Sequence, residues 1–600
     1  MSMNRAATGL ALLALTACAA LRSTPPAPEP GFDAAESGAA RTFLALSALR
    51  EDKTDLAGAL AATDKALAQQ PRSRAAALRR AELLLALDHR DGAGARTQEA
   101  RAILARASDD KTSLPAQARL AWNEGHRDDA TALLQRAADA EPGSAHVQCL
   151  LAELLLEQGD AKGAVAAAER ALAIDPQSLS AHRARARARL ALADAQGAAD
   201  DAHRVVRASP DEADGRQLLA DALDLQGKLA ESIDTLEMLP ARERTTSIRV
   251  ALARRELAAG RTALARPLLE EALAAAPGDA RVLELALALD LAAPSSERGA
   301  RLGESLERLD AAAAAHPEDA AVARVRGEAL AAAGRRDEAE ASFARAIQLD
   351  PDDIATYAPF ASSLLARRNA EQAVARALEL GLAPAPTQLL VGAIREASGD
   401  RARGFEAYEA ALRAEGAPNA SRIAVALGLA ASGKAGSLER AAALAREAHA
   451  ARPGDPFAAD ALGLVLLASR KPHEAIGPLG VAVGSWPPGP DAGEVRYHLA
   501  LAYEGDGDPT AAEAQARTAA ATAPPRKPEP SWARDARQMV ARLAPKSQKL
   551  SLSQTASTPA SSDAESAAAP SPPPSDEAAK APAPEPSPTP LATEPAPKTP

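Results

Sequence analysis

Aromatic side chains are nearly absent from this chain, making up 2% of its 600 residues. β-Branched residues are sparse as well, while alanine and leucine abound. That balance excludes a sheet-built core and predicts an all-α protein, because strands favour branched and aromatic side chains while alanine and leucine favour helix. Only two cysteines occur, Cys18 and Cys149, which excludes a cysteine pair at metal-ligand spacing. Neither sign of charge dominates: 69 basic and 80 acidic residues interleave along most of the length, for a net charge of −11. Such a surface lacks the basic footprint of a nucleic-acid binder, so no nucleic-acid partner is expected. No apolar run is long enough to span a bilayer comfortably. The length exceeds what one compact core holds, so several domains or an extended repeat array are expected.

Signatures of chemistry are missing too. The nine histidines, at positions 89, 126, 146, 182, 203, 316, 449, 473 and 498, include no two that lie three to five positions apart. That removes the simplest zinc-site spacings. There is no G-x-S-x-G elbow. Residues 428–435, GLAASGKA, match a phosphate-binding loop at Gly428, Gly433 and Lys434, but Ala435 replaces the hydroxyl residue that would ligate Mg²⁺ and no strand precedes it. This segment reads as a turn between helices. Glu504, Asp506 and Asp508 alternate with glycines but lack the downstream glutamate of a calcium loop, so they too read as a polar turn. Tyr497 and Tyr503 read as core residues. No catalytic residue, metal ligand or cofactor is assigned, and no enzymatic activity is expected. The alternative is an unrecognised catalytic segment in 85–110 or 290–303, where Asp88, His89, Asp91, Asp109 and Asp110 stand. Arg183, Arg185, Arg187 and Arg189 form the densest basic run; at every second position of a helix they spread around the cylinder, which predicts a solvated face.

The chain opens MSMNRAATGLALLALTAC, with Arg5 and the amine ahead of a short apolar run from Ala6 to Leu15. That is the layout of a secretory signal. Leu15-Thr16-Ala17-Cys18 resembles the bacterial lipobox. The resemblance implies a lipoprotein signal peptide over 1–17, cleavage before Cys18, and lipidation of that cysteine; several acyl chains anchor where one would not. Cys149 would then be left alone, and its place in an apolar helical segment, 145–157, predicts a buried thiol. Ala19, not aspartate, follows the cysteine, which by similarity to such lipoproteins implies an outer-membrane location facing the periplasm. Prolines at 25, 26, 28 and 30 make 18–39 an extended tether. If residues 1–18 are not exported, the body is a cytoplasmic adaptor instead.

What the chain has in abundance is periodicity. Pro142, Pro176 and Pro210 are spaced by 34 residues, as are Pro317 and Pro351, and Pro453 and Pro487. Ala130, Ala164 and Ala198 keep the same step, as do Ala137 and Ala171. In residues 320–353, Gly327, Gly334, Ala339, Phe343, Ala346 and Pro351 fall at offsets 8, 15, 20, 24, 27 and 32. The unit ending at Pro176 has Ala152, Gly159, Ala164 and Ala171 in register. This pattern resembles the tetratricopeptide repeat, and it implies an α-α superhelical solenoid. Small residues let paired helices approach, Gly334 closes the first helix, Asp337 is expected to cap the second, and Pro351 stops it. The register places about fourteen repeats over 40–526, some degenerate, with apparent insertions at 85–110, 290–303 and 430–438 and a unit cut short at Pro240. A capping helix is expected over 527–545, with Trp532 packing on the last repeat. Residues 546–600, rich in Pro, Ala and Ser, are expected to be disordered. The family resemblance implies that the first helices line a concave face that binds protein or peptide partners.

Overall fold

The computed structural model describes residues 36–91, 94–107, 111–486, 492–523 and 529–556. Cys18, the tether as far as residue 35, Asp109, Asp110 and residues 557–600 lie outside the described residues. Among those described, every regular element is helical. Helices α1 (Gly38–Asp52) and α2 (Leu56–Gln69) form the first hairpin, and α3 (Arg74–Asp91) and α4 (Thr97–Ala107) the second. There follow α5 (Leu114–Asn123) with α6 (Arg127–Ala140), α7 (Ala145–Glu157) with α8 (Ala161–Ile174), and α9 (Leu179–Ala191) with α10 (Ala195–Ala208). Next come α11 (Ala213–Leu225) with α12 (Leu229–Glu237), α13 (Thr246–Ala258) with α14 (Thr262–Ala275), and α15 (Ala280–Leu291) with α16 (Ser295–Ala315). The series continues with α17 (Ala320–Ala332) and α18 (Arg336–Leu349), α19 (Tyr357–Leu365) and α20 (Ala370–Glu379), and α21 (Pro384–Ala397) and α22 (Arg401–Arg413). It ends with α23 (Asn419–Ala431) and α24 (Ala435–Ala451), α25 (Pro456–Ala468) and α26 (Pro472–Ser485), α27 (Ala492–Asp506) and α28 (Pro509–Thr522), and a final helix, α29 (Ser531–Ala556). Within each hairpin the two helices pack together, and each second helix packs on the first helix of the next hairpin. This is the expected α-α solenoid.

Local chemistry explains the repeated hairpin. Asp55, Asp160 and Asp194 each cap a second helix, their side chains accepting from the N–H of Gly58, Gly163 and Gly197 three residues on. In these three caps the glycine leaves the capping carboxylate room to lie close over the first turn, whereas Asp400 caps its helix with Arg403 at the same position. First helices end on a residue in the left-handed region, at φ +85° for Gly125, +82° for Gly159 and +74° for Gly227. These positions lie on the 34-residue register, and Ala193 fills the remaining one at φ +54°. The expected insertions are absorbed as helix. Residues 290–303 fall partly in the 21-residue α16, residues 430–438 in a tight turn and the 17-residue α24, and residues 85–91 in the 18-residue α3. The unit cut short at Pro240 has a nine-residue α12 followed by a 3-10 turn, Ala241–Glu243.

Residues far apart in sequence also meet. Gly159 abuts Pro453, Gly480 on α26 faces Ala193, and Gly227 lies against Ala514 on α28. Arg496 on α27 makes two hydrogen bonds of 2.9 Å to the carboxylate of Asp224 on α11, 272 residues away, which is eight repeats of thirty-four. The turns within hairpins four to six therefore rest on hairpins twelve to fourteen, and small residues, Ala193 against Gly480, permit the close approach. At the end of the array Trp532 on α29 is buried with Ala519, Ala533 and Ala536, and Met539 and Leu543 join the core of the last hairpins.

Candidate binding groove

The residues singled out by the repeat pattern frame the hairpins. Ala152 on α7 and Ala164 and Ala171 on α8 are buried. Gly159 sits in the turn between them, and the carbonyl of Pro176 lies 3.3 Å from Nε2 of His182. In the unit at 320–353, Gly327 packs beneath Phe343, Gly334 turns at φ +77°, and Ala339 and Ala346 are buried. Pro351 follows α18, and its carbonyl accepts from the Tyr357 hydroxyl at 2.9 Å. Asp337 differs from expectation. The N-cap of α18 is Arg335, with no side-chain cap, and Asp337 lies inside the first turn, where its charge meets the positive end of the helix.

Inward-facing side chains of the first helices α3, α5, α7, α9, α11 and α13 enclose a cleft of about 730 Å³. One column of charges follows the 34-residue register through this region: Arg119, Glu153, Arg187, Asp221 and Arg255, one per first helix and alternating in sign. Arg119 stands 3.9 Å from Glu153, Arg187 pairs with Asp214 at 2.6 Å, and Arg255 pairs with Asp221 at 2.6 Å. Each cation thus has acids on neighbouring repeats, which holds long side chains in place across the hairpins. Reading within one helix missed this column. Aligning the chain in steps of thirty-four would have revealed it.

The expected solvated face of the arginine run is not what forms. Arg185 and Arg189 both reach the buried carboxylate of Asp201 on α10, each at 2.7 Å, and His182 Nδ1 adds a contact at 2.9 Å. Those charges hold Asp201 down at about 2, although burial alone would raise it. Arg183 is buried and reaches Glu212 at 3.3 Å. The spread around the cylinder is real, but each arginine meets an acid, and Arg187 alone keeps as much as 40% of its side chain exposed.

The wall beside α3 and α7 carries a second constellation. Nε2 of His146 lies 3.2 Å from Glu82 and Nδ1 lies 3.7 Å from Glu51, while Arg79 pairs with both acids. Burial opposes the charge on Glu51, but His146 and Arg79 outweigh it and hold the carboxyl at about 2. Burial likewise opposes protonation of His146, and the two carboxylates more than compensate and raise it. Cys149, on the same wall, is buried, and burial pushes its thiol up to about 12. At the mouth, the Trp122 indole donates to Glu157 at 2.6 Å and its ring lies 5.2 Å from that of His89.

The α1–α2 turn closes one side. The Asp52 carboxylate accepts from the backbone N–H of Ser180 at 2.8 Å and of Leu179 at 3.2 Å, the open donors at the start of α9. Arg183 donates to the Asp52 carbonyl, and the Thr54 hydroxyl donates to Glu212 at 2.8 Å.

Acids described in the segments weighed for catalysis pair with neighbouring side chains. Asp88 accepts from Thr97 and Arg96, Asp91 pairs with Arg96, and Asp290 pairs with Arg266 and accepts from Ser305. Residues 428–435 span the end of α23, a turn with Gly433 at φ +65°, and the start of α24. Asp508 caps α28, Asp506 ends α27 near His473, and Glu504 pairs with Arg542. Tyr503 is buried and Tyr497 is packed against the same core. Among the described residues no three His, Cys, Asp or Glu side chains are grouped to hold a metal ion, and no helix is long and apolar enough to cross a membrane.

Three segments, residues 116–178, 291–354 and 461–527, match the tetratricopeptide repeat family. No curated protein matches. Among solved structures, a chain of the APC/C hetero-tetramer Cut9–Hcn1 is similar at 15% identity, over 84% of this chain and 96% of that one, with a TM-score of 0.36. Yeast Tom70 is similar at 15% identity over 67% of this chain and 98% of that one, with a TM-score of 0.29. A tetratricopeptide repeat protein from Parabacteroides merdae is similar at 16% identity over 42% and 98%, also with a TM-score of 0.29. At these scores no property of those proteins carries over.

Proposed function

We propose that this chain is a lipid-anchored adaptor of the bacterial cell envelope, tethered through Cys18 to the outer membrane and holding a protein or peptide partner in its groove on the periplasmic side. Repeats of this kind serve as protein-interaction scaffolds. The observation that carries the reading is the column of alternating charge along successive first helices: Arg119, Glu153 and Arg187 line the 730 Å³ cleft, and Asp221 and Arg255 continue the column into a neighbouring cleft of about 560 Å³. An extended ligand crossing those helices would meet one charge per repeat, so its own sequence of charges would set its register. Affinity then comes from many modest contacts, each supplied by one hairpin.

The test places a photo-crosslinking residue at Gln217 or Ser247 in the groove, and at Leu264, exposed on the second helix α14, in cells expressing the full chain. A discrete adduct from the groove positions and none from Leu264 is expected. Adducts that do not distinguish the two surfaces would overturn the groove as the binding site. For the anchor, radiolabelled palmitate should enter the chain and be lost in Cys18→Ala. Labelling that survives the substitution would remove the anchor and, with it, the outer-membrane location.

A further inference from the structure

The turn between α1 and α2 stands in the groove. Glu51, Thr54 and Leu56 line the 730 Å³ cleft. Asp52 bonds to the start of α9, and Thr54 to Glu212, which directly precedes α11, so the first hairpin meets the fifth and sixth. The Ser178 hydroxyl lies 3.4 Å from the Asp52 carboxylate, and Glu51 meets His146 on α7 at 3.7 Å. These contacts are all polar. The apolar core of the first hairpin, Ala40 and Ala66 with Phe43 and Leu44, takes in Ala76 of α3, and Leu60 joins the core that α3 and α4 share; no residue of α7, α9 or α11 belongs to either. Packing fixes the hairpin along α3, and charges and hydrogen bonds hold it across the groove.

The backbone of the turn is strained. Thr54 adopts φ +60°, at the place in its hairpin where Gly125, Gly159 and Gly227 adopt this conformation. A β-branched residue is costly there, and glycine would not be. What threonine has and glycine lacks is the hydroxyl that donates to Glu212. Strain kept for one contact on a distant hairpin points to a use for that contact.

We propose that the α1–α2 turn is a lid: Asp52 and Thr54 latch it onto α9 and α11, and the first hairpin swings about its packing on α3 to admit the partner. This rests on the groove being the partner's surface. Among the described residues no hairpin lies behind the first, so the swing breaks no packing on that side. A polar latch exchanges its bonds for bonds to water when it opens, whereas an apolar seam would have to be exposed. Because the partner binds only the open form, it shifts the population towards that form, and each contact that holds the lid shut lowers the partner's apparent affinity.

Cys149 reports the lid. It lines the same cleft, Ser178 hydrogen-bonds its thiol, and after burial and Glu153 the Asp52 carboxylate pushes that thiol up further. In the full chain carrying Cys18→Ser, labelling of Cys149 by a thiol reagent is followed at pH 8, below the urea transition. Asp52→Ala and Thr54→Ala should each speed labelling by about tenfold or more, the loss of one bond that involves a charged group. Thr54→Ala leaves the carboxylates beside the thiol in place, so its effect reports opening and not a change of charge. A lid that opens exposes little surface, so the faster rate should stay flat with urea, whereas labelling through global unfolding climbs steeply. A rate equal to the parent's in either variant, or a rise that carries the steep urea dependence, would overturn the lid. The two readings fail separately: a groove that gives no crosslink leaves these rates unchanged, and a lid that does not open leaves the crosslinks to be judged on their own.

Discussion

The ring of Phe343 occupies the space into which a side chain on Gly327 would project: a Cβ built there would lie 2.8 Å from Cδ1 and 2.9 Å from Cε1. Phe343 is fully buried and stacks on Phe360 at 5.3 Å, so it has no room to retreat. Gly327→Ala should therefore destabilise the protein by about 1–3 kcal/mol, the usual cost of overpacking. Gly299, inside α16 with nothing near its missing Cβ, should respond in the opposite sense. Gly299→Ala is expected to stabilise by about 0.5–1 kcal/mol. Urea unfolding of both variants checks the pair; equal shifts would contradict the packing account.

The Arg496–Asp224 pair is largely buried, with side-chain exposures of 10% and 14%. Arg496→Ala would strand the Asp224 carboxylate and should cost about 3–5 kcal/mol. Combining it with Asp224→Ala should recover part of that loss. A double variant as unstable as the sum of its parts would show that the two residues do not act together.

Stability should depend on pH through two acids of opposite shift. Burial raises the Glu328 carboxyl to about 7, because the single Arg324 guanidinium is shared with Glu284 and Asp353. Its folded value is above its unfolded one, so its contribution is present below about pH 4.5 and lost as pH rises towards 7. Glu51, held at about 2, contributes in the other sense: its stabilisation is present above about pH 4.5 and lost as pH falls towards 2. Glu328→Gln should remove a fall of about 1–3 kcal/mol between pH 4.5 and 7 and leave the acid limb unchanged. Glu51→Gln should shrink the acid limb only, leaving the part that Asp201, also held at about 2, supplies. Denaturant midpoints across pH 2–8 test both.

Cys149 should be inert in the folded protein, since only the thiolate reacts and burial has pushed the thiol up to about 12. In the Cys18→Ser chain at pH 8, a thiol reagent should label nothing until urea unfolds the array. Labelling at the rate of a free cysteine without denaturant would sink this reading.

Much of the hairpin architecture was legible because its determinants are local. Pro176 and Pro351 mark the ends of second helices, Gly159 and Gly334 the ends of first ones, and a 34-residue step links them. Asp337 misled by two positions, because the helix starts directly after Arg335 instead of waiting for a capping side chain. The arginine run on α9 misled for a different reason: its partner Asp201 sits on the second helix of the same hairpin and Asp52 and Glu212 on other hairpins, and a single helix does not display them. The meeting of Ala193 with Gly480 was not legible at all. It depends on a small rotation per hairpin summed over many hairpins, and no local pattern encodes that sum.

An open array can gain or lose a unit by gene duplication or deletion, because each unit touches only its neighbours. Here the contacts at Asp224 and Arg496 count eight units between them. Copying or deleting a hairpin inside that interval would bring a stranger opposite each partner, whereas a change outside it would leave the Asp224–Arg496 contact in place.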